Sequence, residues 1–260
     1  MDISTIVGLI TGFAALILGF TLEQGHLGAL LSLSGAVIVL GGTIGATVFS
    51  FPLETLKNVP TLIKLAFTNR VYDFPGLIEE IVRLADQARR EGLLSLEQNL
   101  EEISDPFLRQ GLQLVIDGVE ATLLRDLLET EIYCMEERHR QGISLFESAG
   151  GYAPTMGIIG TVMGLVHVLG NISTPEKLAP AIAAAFIATL YGISTANLIW
   201  LPISYKLKFK HGKEKLYREL ALEGILALQA GENPAFIRQK LLVFLDYKTR
   251  LLEEKRREES

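Results

Sequence analysis

The chain has 260 residues, of which 49% are hydrophobic and 21% charged, with a net charge of −6 and a mean hydropathy of +0.33. A positive mean hydropathy at this length is unusual for a water-soluble domain and typical of a protein that crosses lipid several times. The composition therefore argues against a soluble enzyme.

Four stretches contain no Asp, Glu, Lys or Arg, and each exceeds the roughly 18 residues that a spanning helix needs. They cover residues 3–22, 27–53, 148–175 and 178–205. The first has no basic residue before it and no small-residue cleavage pattern, so a removable signal peptide is not expected. We predict four transmembrane helices, arranged as two hairpins.

The basic residues predict how these hairpins are oriented. Three of them follow the second stretch and five lysines (206–215) follow the fourth, whereas the short connections 21–26 and 171–177 hold a single Lys. Because Lys and Arg near a span mark its cytoplasmic side, both termini and the middle segment are predicted to be cytoplasmic. The lysine run could also contact anionic lipid headgroups, although holding the topology is its simpler role.

Outside the spans, apolar residues recur with the 3.6-residue period of amphipathic helices and nowhere alternate with the period of a strand. The predicted fold class is therefore all-α, a polytopic membrane protein with four transmembrane helices and a helical cytoplasmic domain. Four segments are expected: a first hairpin (1–53), a cytoplasmic domain (54–147), a second hairpin (148–205) and a cytoplasmic helical tail (206–260).

One cytoplasmic segment is locally specific, the sequence ARREGLLSLE at residues 88–97 (the knuckle). Gly92 suits a helix C-cap, and Ser95 followed three residues later by Gln98 fits a capping box. One helix is therefore predicted to end and another to begin here.

The knuckle carries charges of both signs. Arg89 and Arg90 would lie in the last turn of the first helix and Glu97 in the first turn of the second, where the helix dipole favours each sign. That placement explains the three charges structurally. The alternative is that they form an exposed surface for a protein partner.

The spans hold no Asp, Glu, Lys or Arg, and His167 is their only titratable side chain apart from tyrosines. A chain that moves ions by itself usually keeps an ionisable group at membrane depth. If this protein handles ions, a partner must supply the carboxylate. A stand-alone channel or transporter is the competing hypothesis, and it predicts ion flux from the isolated chain.

Small residues crowd the third and fourth spans, where they allow close helix packing. They either pack the chain's own helices or form a smooth wall against a foreign helix. Thr161 and Thr189 are polar points in this region, and their oxygens either bond back to their own helices or act as hard ligands for sodium. Pro154 could bend the third span, but it also fits an ordinary first-turn proline.

No catalytic motif is present, whether a phosphate loop, HExxH, GxSxG or a Cys/His ligand spacing. We therefore expect no enzyme activity, no catalytic residue, no metal site and no cofactor. Neither is a nucleic-acid partner expected.

The order of the hairpins, the knuckle, and the strings YAPTMGIIGTVMGLVHVLG (152–170) and AAAFIATLYGISTANLIWLPI (183–203) resemble the flagellar stator A-subunits of the MotA/PomA family. The likeness covers essentially the whole chain. The related ExbB/TolQ units share the small-residue spans but usually lack the knuckle, and they remain the alternative.

The resemblance implies roles for particular residues. Arg89, Arg90 and Glu97 would contact the rotor torque-ring protein FliG, and Pro154 would take part in ion passage. Pro234 would be a conformational hinge in the tail.

The resemblance also implies a ring of five A-subunits around two B-subunits in the bacterial cytoplasmic membrane, in contact with its lipids. Each B-subunit would supply an ion-carrying Asp and a peptidoglycan-binding domain. Thr161 and Thr189 match positions where sodium-driven members tend to hold threonine, which favours Na⁺ over H⁺ as the transported ion.

Overall fold

The computed structural model describes residues 2–69, 71–170 and 175–258, and every regular element in these residues is a helix, which confirms the all-α prediction. The α-helices are α1 (Ile3–Leu22), α2 (Leu33–Ala36), α3 (Gly42–Ser50), α4 (Leu53–Lys57), α5 (Val59–Phe67), α6 (Phe74–Glu91), α7 (Pro106–Ile116), α8 (Ala121–Leu169), α9 (Pro175–Thr195), α10 (Leu201–Gln229), α11 (Pro234–Leu242) and α12 (Tyr247–Glu258). The described residues also contain two 3₁₀ segments, Leu27–Leu30 and Leu93–Glu102, and two π-helical segments, Val37–Gly41 and Ala196–Trp200.

Four helical stretches are long and apolar enough to cross a membrane. They are α1, the stretch Leu27–Ser50, and parts of Ala121–Leu169 and Leu178–Gln229, so the four predicted spans are confirmed by length and composition. Many large apolar side chains on these stretches are exposed, as expected for surfaces that face lipid. Part of the predicted connection 171–177, residues 171–174, lies outside the described residues.

The chain divides into two compact units. Met1–Asn69 and His139–Phe209 form one (the membrane unit), and Arg70–Arg138 and Lys210–Ser260 form the other (the polar unit). The helices α8 and α10 each contribute to both units because each runs without interruption from a charged sequence into an apolar one, or the reverse.

The polar unit has its own apolar core. Side chains with relative exposures of 2% or less line it, including Leu77, Ile81, Leu112, Leu128 and Ile237. These residues recur at helical spacing, so each helix turns one apolar face inward. This core fixes the direction of α6, whose last turn begins the knuckle.

Polar side chains cap the helices of this unit at their N-termini. The carboxylate oxygens of Asp73 and Asp105 accept hydrogen bonds from the backbone N–H groups of Gly76 (3.0 Å) and Leu108 (2.8 Å). Each cap satisfies one backbone donor that a helix start leaves unpaired.

Candidate functional site in the paired spans

The third and fourth spans meet backbone to backbone along a line of small residues (the seam). A Cβ built on Gly157 would lie 2.9 Å from the Ala188 carbonyl oxygen, and one on Gly164 would lie 2.6 Å from Ala185 Cβ. At these distances an added methyl group does not fit without a shift of the helices. The seam consists of Gly157, Gly160 and Gly164 on α8 and Ala185, Ala188 and Gly192 on α9.

This packing accounts for part of the small-residue composition. The six seam residues pack the chain's own helices, which is the first of the two interpretations made from sequence. Ala183 and Ala184 instead lie exposed on the fourth span, and Ile158 and Val162 are exposed on the third. These exposed positions are available to a neighbouring helix.

Thr161 and Thr189 face each other across the seam. Their hydroxyl oxygens lie 2.5 Å apart, and Thr161 Oγ1 also lies 2.9 Å from the carbonyl oxygen of Ala185 on the opposite helix. Gly157 O approaches both hydroxyl groups, at 3.1 Å from Thr161 and 3.4 Å from Thr189. Two hydroxyl and two carbonyl oxygens therefore form one group (the oxygen cluster), and both threonines are half-buried.

The oxygen cluster is rich in acceptors. Its two hydroxyl groups carry one proton each, whereas four oxygen-to-oxygen approaches fall within hydrogen-bonding distance. Lone pairs on closely spaced hydroxyl and carbonyl oxygens are the ligands that hard cations such as sodium prefer. The back-bonding alternative is also present, because Thr161 reaches the Gly157 carbonyl of its own helix.

Pro154 lies in the interior of α8, which begins at Ala121. The first-turn interpretation was therefore wrong: the helix does not restart where the sequence turns apolar. Because proline has no N–H group, the carbonyl of Gly150 has no helical donor four residues later. The helix thus contains a built-in weak point one turn before the oxygen cluster begins at Gly157.

The knuckle has a different local structure from the predicted one. Gly92 does cap α6, with a φ of +88° that favours glycine, but residues 93–102 form a 3₁₀ segment rather than a new α-helix. The Ser95 hydroxyl donates to the Gly92 carbonyl at 2.7 Å, so the predicted capping box with Gln98 was wrong. Glu97 consequently does not lie in the first turn of a helix.

The amide of Gln87 braces this segment. Its Nε2 donates to the Ser95 carbonyl oxygen (3.1 Å) and to Asn99 Oδ1 (3.0 Å). The side chains of Leu96 and Leu100 are buried beneath the 3₁₀ segment. The part of the knuckle that follows Gly92 is therefore fastened to α6 by hydrogen bonds and buried side chains.

The three predicted rotor-contact residues are all exposed. Arg89 and Arg90 occupy the last turn of α6, as predicted, and Arg90 pairs with Asp86 at 2.8 Å. Among the described residues, no ion pair involves Arg89 or Glu97. Leu94, which the sequence analysis did not single out, is 71% exposed between them. The sequence offers two adjacent leucines after Gly92, and only the structure shows that Leu94 is the exposed one.

Pro234 is the first residue of α11, and the Asn233 side chain accepts a hydrogen bond from the Ala235 N–H at 2.9 Å. A proline at this position loses no helical hydrogen bond. Behind it, the Arg238 guanidinium donates to both carboxylate oxygens of Glu79 on α6, and this hydrogen bonding lowers the pKa of Glu79. The segment that follows Pro234 is thereby fastened to the helix that carries the knuckle.

These features define a polytopic helical membrane subunit with a closely packed pair of spans, whose uncharged sequences (148–175 and 178–205) hold no Asp, Glu, Lys or Arg. Residues 99–220 match the family model described as the MotA/TolQ/ExbB proton channel family, and residues 6–92 match the model described as Motility protein A N-terminal.

Individual relatives agree with these matches. Motility protein A of Bacillus subtilis (strain 168) is 41% identical over 252 residues, which cover 96% of this chain and 93% of that protein. Chemotaxis protein PomA of Vibrio alginolyticus is 37% identical, with 97% and 99% covered. The structure of the flagellar MotAB stator complex from Bacillus subtilis matches with a TM-score of 0.89 and 41% identity, over 95% of this chain and 97% of that one.

The chain therefore belongs to the motility protein A family, the A-subunits of flagellar stators, and it is not an enzyme. The resemblance identified from sequence is confirmed.

Proposed function

We propose that this chain works with a B-subunit to couple inward cation flow to rotation of the flagellar rotor. The observation that carries the proposal is the oxygen cluster of Thr161 and Thr189, which lies in spans that hold no carboxylate. The B-subunit would bring the Asp that binds the ion, as well as a peptidoglycan-binding domain.

The physical basis is a change of charge on that Asp. An ionised carboxylate is costly against an apolar wall, and binding of a cation removes much of this cost. Each monovalent cation that crosses about 100 mV supplies about 2.3 kcal/mol. This energy is enough to bias one small step along a smooth wall, and the exposed Ala183 and Ala184 leave such a wall open.

Sodium is the coupling ion that the local chemistry favours. A sodium ion that loses part of its water shell needs several oxygen ligands, whereas a proton needs only one base. The oxygen cluster offers two hydroxyl and two carbonyl oxygens within one turn of each helix. We propose that these oxygens complete the coordination of a sodium ion held by the B-subunit Asp.

The knuckle is the proposed contact with FliG. Arg89 and Glu97 are exposed and unpaired within the described part of the chain, so each is available to a charge of opposite sign. Leu94 would lie near the centre of this surface, where interfaces usually exclude water. Pro234, at the start of α11, is the proposed hinge behind it.

The proposed assembly has five A-subunits around two B-subunits in the bacterial cytoplasmic membrane, with both termini on the cytoplasmic side. The lysines that follow the fourth span support this orientation. An ExbB/TolQ-type role is the alternative. The match of residues 6–92 to the motility protein N-terminal model favours the stator.

A complementation experiment tests the proposal. In a flagellated cell that lacks its stator genes, this chain with its B-subunit should restore swimming, whereas this chain with an Asp→Asn B-subunit should assemble without restoring it. Proteoliposomes that contain only this chain should pass neither sodium nor protons. Flux from the isolated chain would reject the proposal, and co-purification with a TonB-like partner would support the alternative.

A further inference from the structure

The start of the second span contains irregular backbone. The 3₁₀ turn Leu27–Leu30 ends just before α2, and Ser32 begins α2 as its N-cap. This segment lies inside the candidate span Leu27–Ser50. Backbone N–H and C=O groups at membrane depth need partners within the protein because the lipid offers none.

Tyr191 of the fourth span supplies these partners. Its phenol donates to the Leu30 carbonyl oxygen at 2.5 Å and accepts from the Ser32 N–H at 3.1 Å. A single hydroxyl group therefore satisfies a backbone acceptor and a backbone donor on either side of Leu31. Ser32 in turn caps α2, because its Oγ accepts from the Gly35 N–H at 3.2 Å.

Beyond Ser32, the second span packs against two residues of the seam, Ala188 and Gly160. A Cβ built on Gly35 would lie 3.5 Å from Ala188 Cα, and one built on Gly160 would lie 3.4 Å from Ile38 Cγ2. Ala188 precedes Thr189 in the chain, and Gly160 precedes Thr161. The second span thus supports the two backbone positions next to the oxygen cluster.

We propose that Tyr191 is a positioning residue for the oxygen cluster. Its hydroxyl fixes the segment from Leu30 to Ser32, and this segment holds the second span against Ala188 and Gly160. The second span then sets the separation of the Thr161 and Thr189 hydroxyls. The ion-related part of this inference rests on the proposed function, whereas the geometric part does not.

Tyr191→Phe is the informative variant because it removes one oxygen and keeps the ring. Tyr152→Phe is the matched control: the Tyr152 hydroxyl lies 2.9 Å from Ser50 Oγ, at the other end of the same span. In the A–B complex, Tyr191→Phe should raise the cation concentration that gives half-maximal speed about five-fold, which corresponds to about 1 kcal/mol of cation binding. Speed at saturating cation should stay unchanged, and the control should shift neither value.

Swimming speed is measured both across a range of sodium concentrations and across a range of pH. The change in half-maximal concentration is then detected whether sodium or the proton drives the wild-type protein. Hydrogen exchange of the Ser32 amide directly reports its hydrogen bond to the Tyr191 hydroxyl. This exchange should accelerate in Tyr191→Phe and not in Tyr152→Phe. Unchanged exchange, or faster exchange with an unchanged half-maximal concentration, would overturn the positioning role.

A second measurement does not depend on ion transport. The double substitution Thr161→Cys and Thr189→Cys places two thiols across the seam, and their oxidation rate reports their separation. Adding Tyr191→Phe should slow this cross-linking several-fold, and adding Tyr152→Phe should not. Equal rates would overturn the inference even if the stator function held, and slower rates would support it even if the complex failed to turn.

Discussion

Gly157 of α8 and Gly192 of α9 lie against each other with no side chain between them. A Cβ built on Gly157 would lie 3.3 Å from Gly192 Cα, and one built on Gly192 would lie 3.1 Å from Gly157 Cα and 2.5 Å from the Ala153 carbonyl oxygen. A backbone oxygen cannot rotate away as a flexible side chain can. We therefore expect Gly192→Ala to destabilise the folded protein by about 1–3 kcal/mol, measured by denaturant unfolding in detergent.

Gly151→Ala is the control for this prediction. Gly151 is an exposed residue of α8, and no heavy atom lies within 4 Å of the Cβ position. Alanine is the better helix former by about 1 kcal/mol, so this variant should be at least as stable as the wild type. If the two variants unfold at the same denaturant concentration, the seam is not a tight contact.

The oxygen cluster predicts a graded response to loss of its hydroxyl groups. Thr161→Ala removes the oxygen that approaches three others, and it should raise the sodium concentration for half-maximal swimming speed about ten-fold, the scale of one hydrogen bond or ligand to a charged group. Thr189→Ser keeps the hydroxyl and should change the sodium response little. Swimming speed across a sodium titration measures both effects.

Thr155→Ala serves as the control for that titration. The Thr155 hydroxyl is exposed and donates only within its own helix, to the Tyr152 carbonyl oxygen at 2.7 Å. Its loss should leave the sodium response unchanged. A wild-type speed that does not depend on sodium would rule out sodium as the coupling ion, and an equal shift in Thr155→Ala would remove the special role of Thr161.

Charge reversal at the knuckle should lower torque without preventing assembly. Arg89→Glu and Glu97→Lys alter exposed side chains that form no ion pair with another described residue, so the folded subunit loses no ion pair. Arg90→Glu also breaks the 2.8 Å pair with Asp86, which is worth little at the surface. Torque of tethered cells and the amount of protein in the membrane are the two measurements.

Glu129→Lys is the control reversal, because Glu129 is an exposed acid of α8 that lies outside the knuckle. Reduced torque from the knuckle variants, with normal torque from the control, is the expected pattern. Normal torque after reversal at all three knuckle positions would reject this surface as the rotor contact.

The sequence predicted the spans well because uncharged runs of this length have few alternatives to a membrane helix. The ends of α8 and α10 could not be predicted in the same way. α8 passes from a charged to an apolar sequence and α10 from an apolar to a charged one, and neither helix ends at that change, so the change of composition marks a change of environment rather than a helix end. The error at Pro154 has this origin.

The candidate site was predicted only in part. Thr161 and Thr189 were singled out separately, but their 2.5 Å contact depends on how two helices pack, to which both the close approach at Gly157 and Gly192 and the neighbouring second span contribute. The knuckle was located correctly at Gly92, whereas the spacing of Ser95 and Gln98 suits a capping box in sequence and a 3₁₀ segment in the structure. The choice between the two depends on tertiary contacts, here the Gln87 amide.

Substitution of Pro154 should change the stability of the protein and the swimming speed in opposite directions. In Pro154→Ala the new N–H can donate to the Gly150 carbonyl and repair the helix, which should stabilise the protein by up to about 3 kcal/mol. If the weak point in α8 is used during rotation, the same variant should swim more slowly. Thermal unfolding and swimming speed should therefore change in opposite directions.

Pro234→Ala provides the comparison, because Pro234 begins α11 and withholds no helical hydrogen bond. Its stability should stay close to that of the wild type, and its swimming speed tests the hinge prediction alone. A Pro154→Ala protein that is both stable and fully motile would show that the missing hydrogen bond in α8 has no role in rotation.

The pair of Glu79 and Arg238 makes the polar unit sensitive to acid. Hydrogen bonding from the Arg238 guanidinium is the main cause that lowers the pKa of Glu79 below its ordinary value of 4.5. A carboxyl group with a lowered folded-state pKa contributes stability above its unfolded pKa, and this contribution is lost as the pH falls through the folded pKa. Glu79→Gln should therefore destabilise the protein at neutral pH, and this difference from the wild type should shrink below about pH 4.

For the adjacent Glu80, we predict a stability change of the opposite sign to that of Glu79→Gln. Burial is the largest influence on its pKa and raises it above 4.5, so the ionised form disfavours folding at neutral pH. Glu80→Gln should stabilise the protein at neutral pH, and this gain should disappear in acid. Denaturant midpoints of the two variants between about pH 3 and pH 7 provide the test. A Glu79→Gln protein that is no less stable than the wild type at neutral pH would mean that the Arg238 pair does not stabilise the contact of α11 with α6, and a less stable Glu80→Gln protein would contradict the prediction for Glu80.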